Sequence, residues 1–218
     1  MAQVFSHRAD RILRTVLVVL VLMFVGCWPL RRLVLYATYS TEVGLNVKQP
    51  IQFSHQHHVG AVGIDCRYCH YSVEKSSSAG MPSSEVCMQC HSHIWNSSPM
   101  LAPVRSAFRT GRPIVWNKVH TLADYAYFNH QIHVAKGVGC ETCHGRVDQM
   151  PVISKVRTFY MEDCLACHRN PAPNLRPRSE IYTMGWKPNE DQPEKQEELL
   201  EAYHIETYHL QDCVTCHR

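Results

Sequence analysis

Beyond residue 36, the sequence lacks the long hydrophobic or periodic stretches from which large helices and sheets are built. Twelve Pro and ten Gly lie mostly between its cysteine motifs, where they break any extended pattern. The chain also lacks a strong charge of either sign, since its formal net charge is +3. These absences exclude a domain built on long helices and predict short helices joined by irregular chain.

Cysteine is plentiful, and only Cys27 lies outside one repeated pattern. The chain has eleven Cys and fifteen His. Ten of the Cys form five copies of Cys-x-x-Cys-His, whereas these residue frequencies predict about 0.04 copies by chance. We call the copies the first to fifth sites, in chain order: Cys66/Cys69/His70, Cys87/Cys90/His91, Cys140/Cys143/His144, Cys164/Cys167/His168 and Cys213/Cys216/His217.

This spacing is the attachment signature of c-type haem. Two thiols three residues apart meet the vinyl groups at one edge of the porphyrin, and the adjacent His supplies the proximal nitrogen to iron. A redox disulfide, a structural zinc site or a disulfide framework does not require a His after each second Cys. We therefore expect five covalently attached haems c. Their propionates add about −10 charge units, so the basic balance gives no indication of nucleic-acid binding.

An internal duplication organises four of the sites. Residues 53–91 and 128–168 share the order Phe-x-His-x-x-His-Val, Cys-x-x-Cys-His, Met-Pro and Cys-x-x-Cys-His. We call these ranges the first and second dihaem modules, and the fifth site follows within 204–218. Short helices are expected at each Cys-x-x-Cys-His and each His-x-x-His.

Each module carries two further His, one helical turn apart, upstream of its motifs. They are His55 and His58 in the first module and His130 and His133 in the second. Since each iron already has a proximal His, we expect the two His of a pair to be distal ligands of two different haems.

The fifth haem needs a distal ligand from outside the modules, and we expect His120 to supply it. Other His remain as alternatives, namely His93, His204 and His209. Methionine ligation is a further alternative, with Met81, Met150 and Met184 as candidates. His57 is expected to be a bystander. With every iron held by two imidazoles, low reduction potentials are expected as a tendency.

An apolar N-terminal segment predicts a membrane anchor. The run Thr15–Leu30 with Ile12 and Leu13 gives about 19 residues, close to the roughly 20 that cross a bilayer as a helix. We expect 1–36 to form a cytoplasmic tail and one transmembrane helix, and 37–218 to form a periplasmic pentahaem domain at the cytoplasmic membrane. A cleaved signal peptide and a lipidated Cys27 are the alternatives.

Two connecting segments and the small core complete the expected architecture. Ser97–Lys118 is expected to be a solvated loop or a docking surface, and Glu194–His209 an amphipathic helix. About 180 residues surround five large rings, so the chain is expected to fold only with its cofactors. The predicted fold class is a multihaem cytochrome c, mostly irregular with short α-helices, plus one N-terminal transmembrane helix.

Residues 49–218 resemble the pentahaem cytochrome c subunit of the bacterial Alternative Complex III. The resemblance is carried by FSHQHHVGAVGIDCRYCH, WNKVHTLADYAYFNHQIHVAKGVGCETCHGRVDQMP and MEDCLACHRNP. It implies a subunit that is not an enzyme on its own. Electrons would pass from quinol oxidation through an iron–sulfur subunit and haems toward a cytochrome c or a terminal oxidase, with polytopic membrane subunits as partners.

Three other functions compete with this interpretation. A membrane-anchored multihaem quinol dehydrogenase would oxidise quinol directly. A catalytic multihaem reductase would need an open iron position, yet no Cys-x-x-Cys-Lys variant occurs and the additional His are sufficient to fill every position. A storage or shuttle cytochrome would have no fixed complex.

Overall fold

The computed structural model describes residues 6–188 and 194–217, and it separates into two compact units, 1–43 and 44–218. The start of the predicted tail and Arg218 lie outside the described residues. The boundary falls between Val43 and Gly44, whereas the sequence predicts a division after Tyr36. The first unit therefore contains a short helix as well as the long one.

The first unit is dominated by helix α1, which spans His7–Tyr36. Thirty residues at about 1.5 Å each give about 45 Å, which exceeds the roughly 30 Å hydrocarbon core of a bilayer. The Ser6 side chain accepts from the amide of Ala9 and caps its first turn. Every residue of α1 except Asp10 is exposed, so its apolar surface has no protein core to cover it. A short helix, α2, follows at Thr38–Thr41.

The second unit contains short helices and, among the described residues, no strand. Its α-helices are α3 (Cys66–Cys69), α4 (Ser84–His91), α5 (Ala102–Thr110), α6 (His130–Ala135), α7 (Cys140–His144), α8 (Met161–Arg169), α9 (Glu194–Ala202) and α10 (Cys213–Cys216). A π-helix spans Gln56–Ala61. Short 3₁₀ turns lie at Pro99–Leu101, Val147–Gln149, Ala172–Asn174, Arg178–Glu180 and Thr207–His209. Three isolated bridges join Asn46 with Ser154, Ala126 with His217, and Val138 with Leu175.

The apolar core of the second unit is small. Its buried apolar residues are Ile51, Val73, Val104, Ala107, Val119, Val134, Ala172, Leu175, Ile181 and Tyr203. Of these, Val73, Val134 and Ile181 form a cluster that joins the two modules. So few buried side chains cannot offset the entropy of ordering this unit, which is consistent with a core completed by cofactors.

The predicted fold class is confirmed, and two segments differ from expectation. The segment predicted as a loop at 97–118 contains α5, which begins beside Pro103 and ends at Gly111 in the left-handed region. The helix predicted over Glu194–His209 ends at Ala202, because the chain turns at His204, where φ is 50°. The first His-x-x-His lies on a π-helix, with His55 as the residue before its first turn.

Candidate haem-binding sites

Each attachment motif lies on one turn or the end of a short helix, and its thiols are free. Asp65 caps α3, because its carboxylate accepts from the amide of Arg67 at 2.8 Å. None of the ten motif cysteines forms a disulfide. A single helical turn places the two thiols of a motif on one side of the chain, as attachment to one porphyrin edge requires.

The proximal histidines direct one ring nitrogen toward the protein. Nδ1 contacts a backbone carbonyl in four of them: His70 to Gly80 at 2.8 Å, His91 to Ile94 at 3.2 Å, His168 to Leu210 at 2.7 Å and His217 to Tyr125 at 2.9 Å. A neutral imidazole that donates from Nδ1 keeps the lone pair of Nε2 free for a metal. When Nδ1 donates in these contacts, Nε2 of each ring is available to bind a metal.

Three of the four upstream histidines are oriented in the same way. Nδ1 of His58 contacts the carbonyl of Ser54 at 2.8 Å, His130 that of Ser77 at 2.8 Å, and His133 that of Asn129 at 2.7 Å. His55 differs, since its buried Nδ1 has no hydrogen-bond partner among the described residues.

One Phe in each module fixes the angle between its two upstream histidines. Phe53 stacks on His58 with centroids 4.3 Å apart and meets His55 edge-on at 4.9 Å. Phe128 stacks on His133 at 4.4 Å and meets His130 edge-on at 4.8 Å. These rings explain why Phe precedes both His-x-x-His segments, a role that the repeat alone does not specify.

Upstream and motif histidines face each other in pairs. Ring centroids are 6.2 Å apart for His58 and His91, 6.3 Å for His130 and His144, and 6.2 Å for His133 and His168. A metal–imidazole bond is about 2 Å long and the centroid lies about 1.1 Å beyond the nitrogen, so two imidazoles on one iron have centroids roughly 6.3 Å apart. Each of the three centroid separations therefore matches that of two imidazoles on opposite sides of one iron.

Burial favours the neutral, metal-binding form of four of the histidines, namely His55, His58, His133 and His144. Desolvation lowers the pKa of His55 to about 4, and the nearby His70 and His58 lower it further. Desolvation also lowers the pKa of His144 to about 3, with His120 as the next cause. Burial lowers the pKa of His58 and His133 as well. Neutral rings are available as ligands through the physiological range.

His120 lies beside the third site. Its Nε2 is 3.4 Å from Nδ1 of His144, and its ring also contacts Phe159. The ring of His217 instead contacts Tyr125, with centroids 5.8 Å apart. These contacts do not favour the expectation that His120 is the distal ligand of the fifth site. They place the ring of His120 beside His144, the motif histidine of the third site.

Two of the alternative ligands for the fifth haem, and the bystander His57, make other contacts. Nδ1 of His209 is 2.9 Å from the Asp212 carboxylate. The carbonyl of His204 accepts from Nζ of Lys136 at 3.0 Å. His57, expected to be a bystander, stacks on Trp95 with centroids 6.0 Å apart.

The paired arrangement fits haem iron better than a bare metal ion. No group of three or more His, Cys, Asp or Glu in the described chain is arranged to hold a metal ion. Two facing imidazoles suffice when a porphyrin supplies four nitrogens. Apolar side chains inside the motifs, such as Tyr68 and Val214, are 45% and 76% exposed in the polypeptide, as expected for surface that an apolar ring covers.

Comparisons with known proteins agree with this chemistry. Residues 51–100, which contain the first two sites, match the family described as cytochrome c7 and related cytochrome c. The chain is 37% identical over 98 residues to the "Menaquinone reductase, multiheme cytochrome c subunit" of Nitratidesulfovibrio vulgaris strain Hildenborough. That match covers 44% of this chain and 46% of the relative, so it spans about half the length of the curated relative. The matches, which each cover less than half of the chain, agree with the multihaem cytochrome c fold class that the repeated motifs and the short-helix architecture predict.

Proposed function

We propose that this chain is the electron-transfer subunit of a membrane quinol-oxidising complex and passes electrons through five haems c toward a periplasmic cytochrome c or a terminal oxidase. The main support for this proposal is the set of three imidazole pairs whose ring centroids are 6.2–6.3 Å apart. An iron held by two protein nitrogens has no open position for a substrate, so the arrangement favours electron transfer over catalysis at haem.

The proposed sites draw on both kinds of histidine. The attachment residues are Cys66, Cys69, Cys87, Cys90, Cys140, Cys143, Cys164, Cys167, Cys213 and Cys216. The proximal ligands are His70, His91, His144, His168 and His217. The distal ligands of the first to fourth sites are His55, His58, His130 and His133, in that order. When bound, each haem supplies a reversible one-electron iron couple. The protein contributes neutral ligands, fixed ring orientations and apolar cover.

The proposed location is the cytoplasmic membrane, with α1 as the anchor and the haem-binding unit in the periplasm. The length and exposed apolar surface of α1 support a membrane span, although a signal sequence has the same properties. Attachment of haem c outside the cytoplasm supports the orientation. The resemblance to Alternative Complex III supports iron–sulfur and polytopic membrane subunits as partners.

The test is anaerobic electron transfer in the complex purified from its native membrane in mild detergent. A menaquinol analogue is added to the oxidised complex, and haem reduction is followed by absorbance. We expect quinol to reduce the haems and an oxidised soluble cytochrome c to reoxidise them. Copurifying iron–sulfur and polytopic subunits are expected. Absence of reduction by quinol would contradict the proposed function.

The second candidate is a complex that delivers electrons to quinone. The name of the relative, a menaquinone reductase subunit, favours this direction. In the same preparation, a chemically prereduced complex would then be oxidised by a menaquinone analogue, while quinol would fail to reduce it. A chain purified without partners that is reduced by quinol would instead support the membrane-anchored quinol dehydrogenase.

A further inference from the structure

The two dihaem modules contact each other through equivalent backbone groups. The amide of Gln56 donates to the carbonyl of Met150 at 3.0 Å, and the amide of Gln131 donates to the carbonyl of Ser76 at 3.2 Å. The two Gln occupy the same position in the repeat, and each carbonyl lies six residues after a motif histidine. A contact in which equivalent groups are exchanged relates its halves by a two-fold axis. The modules therefore pack head to head around a local pseudo-two-fold axis.

Side chains at this contact bring the first and third sites together. The thiols of Cys66 and Cys140, which are equivalent in the repeat, lie close enough to interact, and this interaction lowers the pKa of Cys66 and raises that of Cys140. Val73 and Val134, one from each module, pack in the same buried cluster. The backbone approach is close at Gly60, where a Cβ would lie 2.3 Å from the carbonyl of Asp148. No other residue type fits there without displacement.

Contacts within each module bring its own two sites together. In the first module, Tyr68 donates a hydrogen bond to Gln89, and burial raises the pKa of Cys69, which the neighbouring Cys87 raises further. In the second module, His130 and His133 lie one turn apart on α6 and pair with His144 of the third site and His168 of the fourth, at centroid distances of 6.3 and 6.2 Å. In each module, the two upstream histidines are one helical turn apart, and they belong to the two different sites of that module.

The fifth site adjoins the fourth. Nδ1 of His168 contacts the carbonyl of Leu210 at 2.7 Å, and Nε of Arg169 donates to Gln211 at 3.2 Å. Burial raises the pKa of Cys164, with Cys216 as the next cause. The segment that leads into the last motif therefore lies directly behind the proximal ligand of the fourth site.

We propose that the five sites follow one another in space in the order second, first, third, fourth and fifth, so that the second and fifth sites form the two ends. The head-to-head contact produces this order, because it joins the two first members of the modules. The solvent exposure of the motif cysteines agrees with this order, because the ends of the row should be the most exposed. The exposed motif cysteines are Cys90, in the second site, and Cys213, in the fifth. That electrons enter and leave at these ends rests on the proposed function, whereas the spatial order does not.

The test counts the neighbours of individual haems in the full-length holoprotein in detergent. His58→Met raises the reduction potential of the second-site haem, and His130→Met raises that of the third-site haem. In each variant, the haem with the raised potential is reduced before the other four. Reduction of one haem shifts the resonances and potentials of its immediate neighbours, which proton NMR of partly reduced samples detects. We expect one responding neighbour in His58→Met and two in the matched variant His130→Met. Two neighbours for the second site, or one for the third, would overturn the proposed order.

A second measurement does not depend on the variants. Cryo-electron microscopy of the unmodified holoprotein gives the positions of the irons. We expect the first and third irons to be adjacent and the second and fifth to have one neighbour each; adjacency of the second and third irons would overturn the order. Failure of quinol to reduce the haems would reject the proposed function and leave the order intact, so the two failures are distinguishable.

Discussion

His130 and His144 face each other almost in parallel, with ring planes 8° apart and centroids 6.3 Å apart. His144 belongs to an attachment motif, whereas His130 begins helix α6 upstream of it. The separation matches two imidazoles on opposite sides of one iron. The first module supports this position of His130, because the carbonyl of Ser77 lies 2.8 Å from Nδ1 of His130.

Replacing His130 should open one iron without detaching any haem. We expect His130→Ala to convert one ferric haem to high spin, while mass spectrometry still finds all five haems attached, because the thioether cysteines are unchanged. Electron paramagnetic resonance of the oxidised full chain measures the spin state. The matched control is His57→Ala, which removes a ring stacked on Trp95 and should leave the spin states of the unmodified protein unchanged. An all-low-spin His130→Ala spectrum would reject the assignment.

Replacing His120 should change a potential, not a spin state. Its Nε2 lies 3.4 Å from Nδ1 of His144, and an Nδ1–H that donates across this contact would make His144 a stronger donor to ferric iron. A hydrogen bond that is about 1 kcal/mol stronger in the ferric than in the ferrous state lowers a one-electron potential by roughly 40 mV, and its loss raises the potential by the same amount. We therefore expect His120→Ala to keep all haems low-spin and to raise one potential in a spectroelectrochemical titration.

The conservative variant His120→Gln provides the control for this role. Its side-chain oxygen is able to accept the same hydrogen bond, so the shift in potential should be smaller than in His120→Ala. A new high-spin haem in either variant would instead show that His120 is an iron ligand, as the sequence analysis expected for the fifth site.

The sequence predicts the chemistry of this protein better than its spatial arrangement. Five identical motifs specify the thiols and proximal His through local spacing alone, and the repeat identifies His55, His58, His130 and His133 as a related set. The position of His120 depends instead on how residue 120 packs against residue 144 through the tertiary fold. The sequence does not predict helix α5, because Pro103 is a residue type that interrupts helices. Pro is nevertheless compatible with the first turn of a helix, which is where Pro103 lies.

Acidification should release the first-site distal ligand only well below neutral pH. Burial lowers the pKa of His55 to about 4 from 6.5, so the unfolded chain binds more protons than the folded chain between these values. Stability therefore falls as pH decreases through this window. Because iron competes with the proton for the same nitrogen, we expect no high-spin signal from this site until the pH falls to about 4. A new high-spin signal that appears well above pH 4 as the oxidised protein is titrated with acid would contradict this.

Truncating the most deeply buried leucine should destabilise the haem-binding unit. Leu175 is fully buried and pairs with Val138 just before the third attachment motif. We expect Leu175→Ala to reduce the free energy of unfolding by about 2–5 kcal/mol, measured by denaturant titration of the holoprotein. Leu45→Ala, at a position 44% exposed, should change it by less than about 1 kcal/mol. Equal effects of the two variants would argue against a structural role for the Leu175 contact.

Removing a central attachment site should be more damaging than removing a terminal one. The third site lies between the modules, where Cys140 contacts Cys66 and Glu141 pairs with the buried Arg176 at 3.3 Å. Cys140→Ser with Cys143→Ser removes the ring that both modules pack around, so we expect little full-length protein to accumulate. Cys213→Ser with Cys216→Ser removes haem only at an exposed end, and a four-haem, low-spin protein should accumulate. Haem-stained gels and mass spectrometry of membranes measure both. Equal accumulation of the two variants would contradict the central position of the third site, because a ring shared by two modules contributes to the stability of each.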